Sequence, residues 1–236
     1  MFLMNAWYDQ IFVLALRRRG NRYPDLDYGR IYRVWSKPLA MASCNSWDNG
    51  ATMRVSPAGY LAPTPQVAIS VAKETAFVTH DHPEGLKGAA ATALAIRAAL
   101  AGHSSADIRA RIASTKGYDL SRSINRNPYL VCVRRIKPRH SPSAGLRPGG
   151  YQLQRRHPYA TAIGGDSDTA ACIAGGVAEA LFGIPQDILD LARSHVPQEG
   201  IMIMNRIYAK GHGAGVGFDE RQTPDSGLIE GEILKN

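Results

Sequence analysis

A short acidic turn contains the side chains best suited to chemistry in this sequence. Asp166, Ser167, Asp168 and Thr169 follow two glycines and precede a run of small residues that is typical of a helix. Carboxylate and hydroxyl oxygens are the hard ligands that Mg²⁺ and Mn²⁺ prefer, and the glycines allow a sharp turn that would direct both carboxylates at one point. The pattern predicts half of a metal site; the alternative is a cluster that caps the free amides of a helix.

A second candidate is the run Asn-Gly-Ala-Thr-Met-Arg at residues 49–54. Gly50 permits close approach of the backbone to a ligand, free amides can point at an anion, and Arg54 adds positive charge, so the run could bind a phosphate. The alternative is an ordinary Asn-Gly turn with Arg54 in a surface ion pair.

Two histidines, His80 and His82, flank Asp81. Zinc would need further Cys or His ligands at suitable spacing, and none lies near them in the sequence. A polar contact from His80 to a ligand, or a histidine that is satisfied at a helix end, is the favoured interpretation.

Basic charge is concentrated in one part of the chain. The net charge of the 236 residues is +8, yet residues 122–157 contain nine Arg or Lys residues and no Asp or Glu. This segment has few interleaved aromatic residues, Tyr129 and Tyr151, and no recognisable nucleic-acid module. We therefore do not favour nucleic-acid binding as the role of this segment. The alternative is an irregular or mistranslated stretch over 125–160.

The odd cysteine count, three, favours a reducing, cytoplasmic setting over a disulfide framework. The apolar run near the start is too short to span a membrane.

Apolar periodicity and capping residues predict a mostly α-helical chain that must position these groups. Residues 45–57 have a loop-like composition, Gly20 is expected to end the first helix, and the glycine-rich tail over 211–236 is expected to be disordered. Helices are predicted over 7–18, 27–35, 65–78, 83–102, 105–116 and 169–182, with a short one from 185.

Three ordered blocks resemble the ADP-ribosylglycohydrolase family, which includes the dinitrogenase reductase-activating glycohydrolase. They are residues 45–57, residues 79–88 and residues 164–185. The resemblance implies a single all-α domain over 1–236, a compact orthogonal helical bundle. It implies hydrolysis of the glycosidic bond between ADP-ribose and an acceptor, either an ADP-ribosylated protein or a small ADP-ribosyl substrate.

The same resemblance implies a centre of two Mg²⁺ ions, with Mn²⁺ possible, and assigns site residues; it names no catalytic residue. The metal ligands would be Asp166, Asp168 and Thr169. The substrate-binding residues would be Asn49, Gly50, Ala51, Met53 and His80.

Two departures from the family pattern shape our expectations. The family's first helices and a Thr-Asp-Asp-Thr-like metal motif belong upstream of Arg17, so we expect an N-terminally truncated member with weak metal binding and little hydrolase activity. Ile11, Leu14 and the Ala-rich helix over 83–102 would then lack partners, which favours low solubility. Within 127–161, Pro/Arg/His/Ser runs replace a patterned helix, and we interpret this stretch as read between two compensating frameshifts. The alternative functions are an inactive ADP-ribose-binding fragment and a basic nucleic-acid-binding protein.

Overall fold

The computed structural model describes residues 2–26, 28–37, 43, 45–46, 48–116 and 167–211, and within these ranges every regular element is an α-helix. The predicted all-α fold is therefore confirmed for the described part of the chain. The predicted irregular segment over 125–160 lies outside these ranges, as does the tail after Gly211. Asp166, Cys44 and Cys132 also lie outside the described residues.

We number the described helices in chain order. They are α1 (Phe2–Arg22), α2 (Arg30–Trp35), α3 (Gly50–Met53), α4 (Ser56–Leu61), α5 (Pro65–Phe77), α6 (Pro83–Leu100), α7 (Ser105–Lys116), α8 (Ser167–Phe182), α9 (Gln186–Ser194) and α10 (Gln198–Lys210).

Local capping explains where the central helices begin. Thr64 is extended, and its hydroxyl accepts a hydrogen bond from the Val67 amide at 3.2 Å, while Pro65 takes the first helical position of α5. His82 has the same role at α6, because its Nδ1 accepts from the Glu84 amide at 3.2 Å. These residues confirm the predicted start of α5 and the helix-end role for one of the two histidines.

Two predictions about local structure are wrong. Gly20 does not end α1; a Cβ built on it would lie 3.2 Å from the Tyr32 ring, so glycine allows α2 to approach a helix that continues to Arg22. The region predicted as a loop over 45–57 contains α3 and the start of α4. Burial of Ala51 and Val55 against the core outweighs the turn-forming Asn-Gly pair.

α6 is the centre of the described bundle. It packs against α3, α4, α5, α7 and α8, and twelve of its residues are buried. The expectation that this Ala-rich helix lacks partners is therefore wrong. Small residues make the close packing possible: a Cβ on Gly59 of α4 would lie 2.7 Å from the Cβ of Ile96. Ile11 and Leu14 of α1, in contrast, are 53% and 66% exposed.

Two apolar clusters meet along α6. One joins its N-terminal half to α3, α4 and α5 through alanines and Val55. The other joins its C-terminal half to α7, α8 and Tyr60, with Tyr208 of α10 packed against it. Among the described helices, none is both long and apolar enough to span a membrane.

Candidate functional site

The candidate site is centred on α3, a single helical turn of four residues. Its two middle residues, Ala51 and Thr52, are 0% and 1% exposed and face the core. α3 contacts α5, α6 and α8. Because the middle of the turn is fixed in this way, Gly50 and Met53 at its two ends are presented to different neighbours.

At the start of α3, Gly50 lies beside the His80 ring. A Cβ built on Gly50 would be 3.4 Å from Nε2 and 3.5 Å from Cε1 of His80. On the other side of the histidine, Gly85 of α6 leaves room for its Cβ, since a Cβ on Gly85 would lie 3.4 Å from it. The structure thus brings together two of the predicted substrate-binding residues, Gly50 and His80.

A chain of hydrogen bonds holds the other ring nitrogen of His80. Nη2 of Arg54 donates to the Thr79 hydroxyl, and the Thr79 oxygen lies 2.7 Å from Nδ1 of His80. The same Nη2 lies 3.0 Å from the carbonyl oxygen of Thr75 and 3.4 Å from that of Ala76 at the end of α5. Arg54 therefore neutralises the negative end of a helix, a role that neither interpretation of its sequence context anticipated.

The surroundings of His80 favour its neutral form. Burial, and next the positive charge of Arg54, lower the pKa of His80 to about 4, although Asp48 and Asp81 oppose this shift. Asp81 is itself held ionised, because a hydrogen bond from Ser43 lowers its pKa. At neutral pH the imidazole is therefore an uncharged group with one donor and one acceptor nitrogen.

At the other end of α3, Met53 lies against the first turns of α8. The Thr169 hydroxyl donates to Sδ of Met53 at 3.8 Å, and Sγ of Cys172 lies 3.8 Å from the Met53 carbonyl oxygen. Thr169 is buried, whereas Asp168 beside it is exposed. Met53 thus connects a predicted substrate-binding turn with a predicted metal-ligand turn.

The donor atoms at the start of α8 fit a hard divalent cation. Asp168 offers a solvent-exposed carboxylate, and the Thr169 hydroxyl directs its hydrogen at a thioether, which leaves its oxygen lone pairs for another partner. The described residues supply only these two groups, and they contain no cluster of three His, Cys, Asp or Glu side chains that could hold a metal. Asp166, the third predicted ligand, precedes the described part of α8.

The remaining predicted residues occupy contrasting positions. Asn49 is half-buried and precedes α3, where its carbonyl accepts from the Met53 amide at 3.0 Å. Ala51 has no exposed surface, and it packs in the core with Val55 and the alanines of α5 and α6. His82 caps α6, where its Nδ1 accepts from the Glu84 amide.

Two residues of this region were missed in the sequence. Thr79 contacts both Arg54 and His80, and its position beside the histidine was the available indication. Cys172 lies one turn after Asp168, and burial, with Asp168 as a second cause, raises the pKa of its thiol. A raised pKa favours the protonated thiol over the thiolate at neutral pH.

The sequence of the chain was compared with known protein families and with curated proteins. A family model described as ADP-ribosylglycohydrolase matches residues 3–143, which is more than half of the chain. The match includes the first two sequence blocks, with α3 and His80, and ends inside the basic segment before the third block. A search of curated proteins found no match.

Proposed function

Since the chain belongs to the ADP-ribosylglycohydrolase family, we propose that it acts on the bond that joins ADP-ribose to an acceptor side chain or small molecule. The observation that supports this is the position of α3. Its first residue lies against the His80 ring and its last against Thr169, so the turn lies between the proposed nucleotide-binding group and the proposed cation-binding turn.

In this proposal the substrate-binding side consists of Asn49, Gly50, Met53 and His80. Gly50 places no side chain against Nε2 of His80, and we propose that an oxygen of the ligand binds this nitrogen. Met53 is 39% exposed and offers an apolar surface to a sugar or base. Ala51 contributes indirectly, because its burial fixes the turn.

The cation-binding side consists of Asp168 and Thr169, with Asp166 as a further ligand. Bound Mg²⁺ or Mn²⁺ would supply Lewis-acid stabilisation of developing charge and orientation of ribose hydroxyls and water. Asp168 is exposed, so a cation there can keep the water ligands that Mg²⁺ releases reluctantly. Met53 accepts a weak hydrogen bond from the Thr169 hydroxyl through its sulfur.

A second candidate function is ADP-ribose binding without hydrolysis. It is favoured by the small donor set, because the described residues place one carboxylate at the cation-binding turn. The free thiol of Cys172 fits a reducing, cytoplasmic setting for either function.

The test combines calorimetry with a release assay on the full chain. ADP-ribose is titrated into the protein in Mg²⁺, in Mn²⁺ and in EDTA, and peptides ADP-ribosylated on arginine or serine are incubated under the same conditions. We expect saturable binding that is tighter with the cation, and release of ADP-ribose that stops in EDTA. Cation-enhanced binding without release would instead identify the inactive binder.

Nucleic-acid binding is the control outcome. If ADP-ribose does not bind and the protein instead retains RNA or DNA with an affinity that falls steeply with salt, the proposed function is wrong. The basic segment over residues 122–157 would then account for the binding.

A further inference from the structure

We infer that Arg54 and Thr79 are positioning residues that hold His80 as the tautomer protonated on Nε2, so that the site presents a neutral hydrogen-bond donor to an oxygen of its ligand. The identity of that ligand as ADP-ribose rests on the proposed function. The tautomer itself follows from the hydrogen bonds around His80.

The direction of the hydrogen bonds starts at Arg54. A guanidinium can only donate, so Nη2 of Arg54 donates to the Thr79 hydroxyl and occupies a lone pair of its oxygen. The hydroxyl hydrogen of Thr79 is then available for Nδ1 of His80, 2.7 Å away. A neutral imidazole whose Nδ1 accepts a hydrogen bond bears its proton on Nε2.

Arg54 is held in place independently of Thr79. The guanidinium also donates to the carbonyl oxygen of Thr75 at 3.0 Å and approaches that of Ala76 at 3.4 Å. Thr79 is 2% exposed, so solvent does not compete with its hydrogen bonds. The relay from Arg54 to Thr79 to His80 therefore starts from a fixed donor and ends on a fixed ring.

The donor nitrogen lies beside Gly50, which carries no side chain to cover it. Nε2 is the His80 nitrogen near Gly50, at 3.4 Å from the position a Cβ would occupy there. The charged groups that influence the ring are Arg54, Asp48 and Asp81. Together with burial they leave the imidazole uncharged at neutral pH, so it would bind a phosphate or hydroxyl oxygen as a donor without the desolvation penalty of an imidazolium.

The test measures the tautomer in the full protein without ligand. Histidine labelled with ¹⁵N is incorporated, and the His80 resonances are assigned by their loss in His80→Gln. At neutral pH we expect the ¹⁵N shifts to place the proton on Nε2. A proton on Nδ1, or a charged ring, would overturn the inference even if ADP-ribose binds as proposed.

Two variants separate positioning from a structural role. Thr79→Val keeps the shape of the side chain and removes the hydroxyl; we expect a mixture of His80 tautomers and about fivefold weaker ADP-ribose binding. Thr79→Ser keeps the hydroxyl and should restore both the Nε2 tautomer and the affinity. An unchanged tautomer in a folded Thr79→Val protein would contradict the inference. If Thr79→Val does not fold, the wild-type measurement still decides.

A failure of the proposed function gives a different result. In that case the His80 tautomer would be as inferred and would respond to Thr79→Val, but ADP-ribose would not shift the His80 resonances. If the ligand is correct and the inferred tautomer is wrong, ADP-ribose would shift the His80 resonances, but the proton would not lie on Nε2.

Discussion

Two partly buried polar clusters among the described residues differ in their surroundings. The first is the His80 cluster, with Arg54 and Thr79, beside α3. The second is the Glu179 cluster, in which the Tyr208 hydroxyl donates to the Glu179 carboxylate and the Tyr60 ring packs edge-on against Tyr208, with ring centroids 6.1 Å apart. In the first, a nitrogen faces the space beside Gly50; in the second, the carboxyl group lies among side chains of α4 and α10.

Burial disfavours the charged form of the titratable group in both clusters, but it shifts the two pKa values in opposite directions. It lowers the pKa of His80 and raises the pKa of Glu179, because the charged form of each group is disfavoured. Burial and the neighbouring Glu179 carboxyl also raise the pKa of Tyr60 and of Tyr208. A shifted pKa is therefore no evidence of function by itself. The absence of a side chain on Gly50, beside Nε2 of His80, distinguishes the candidate site from the Glu179 cluster.

The largest effect is expected from breaking the Glu179 cluster. Glu179→Ala removes the carboxylate that accepts from the partly buried Tyr208 hydroxyl and creates a cavity, and should lower the free energy of unfolding by about 3 kcal/mol in urea titrations. Glu199→Ala is the matched control, since this carboxylate pairs with Arg19 and Arg22 near the surface and should cost less than about 1 kcal/mol. If Glu179→Ala abolished ADP-ribose binding in the folded protein, the Glu179 cluster would not be purely structural, and the proposed contrast with the His80 cluster would be wrong.

The second effect concerns the cation. Asp168→Asn removes the exposed carboxylate at the start of α8 and should weaken Mg²⁺ or Mn²⁺ binding, measured calorimetrically with ADP-ribose present, by roughly 10- to 100-fold. Asp187→Asn is the control, because Asp187 is also an exposed acid in the first turn of a helix, α9. Equal effects of the two variants would argue against a specific site at Asp168.

Closing the open space should have a smaller effect. Gly50→Ala places a methyl group 3.4 Å from Nε2 of His80, an ordinary contact that the fold tolerates but that covers the donor. We expect ADP-ribose binding to weaken about tenfold, or 1.4 kcal/mol, with little change in stability. In the control, Gly175→Ala, the added methyl meets nothing within 4 Å, and affinity should not change.

The last prediction is a pair of opposite pH trends in stability. The pKa of His80 is lowered from 6.5 to about 4, so its contribution is present above pH 6.5 and is lost as the pH falls toward 4. The pKa of Glu179 is raised from 4.5, so its contribution is present below pH 4.5 and is lost as the pH rises through the raised value.

Denaturation across pH 4–8 measures these trends. Relative to wild type, His80→Gln should lose less stability on acidification below pH 6.5, and Glu179→Gln should lose less as the pH rises above 4.5. Parallel trends in the two variants would show that the clusters do not respond as their pKa shifts require.

The helices with local signals were predictable from the sequence. Thr64 with Pro65 and His82 with Pro83 mark the starts of α5 and α6. Apolar residues at helical spacing indicate how each helix continues. α3 and α4 were not predictable, because their stability comes from burial against a helix much later in the chain. Gly59, for example, is explained only by the Ile96 side chain that it meets.

The sequence of the candidate site predicted its residue types better than their contacts. Gly50 with His80, and Met53 with Thr169, are adjacent in the structure although their pairing is not visible in the sequence. Arg54 was interpreted as a ligand-binding or surface charge because its acceptors, the Thr75 carbonyl and the Thr79 hydroxyl, lie 21 and 25 residues further along the chain. Long-range hydrogen bonds of this kind leave no periodic pattern.

The shortness of α3 has a consequence for engineering. A helix of four residues has too few internal hydrogen bonds to persist alone, so its rigidity is borrowed from α5, α6 and α8. Substitutions that weaken the packing of those neighbouring helices would reduce ligand specificity at temperatures well below the unfolding temperature. Conversely, substitutions that stabilise the packing of the α5 and α6 alanines against α3 would improve discrimination between ligands. They would do so without altering any residue that contacts the ligand.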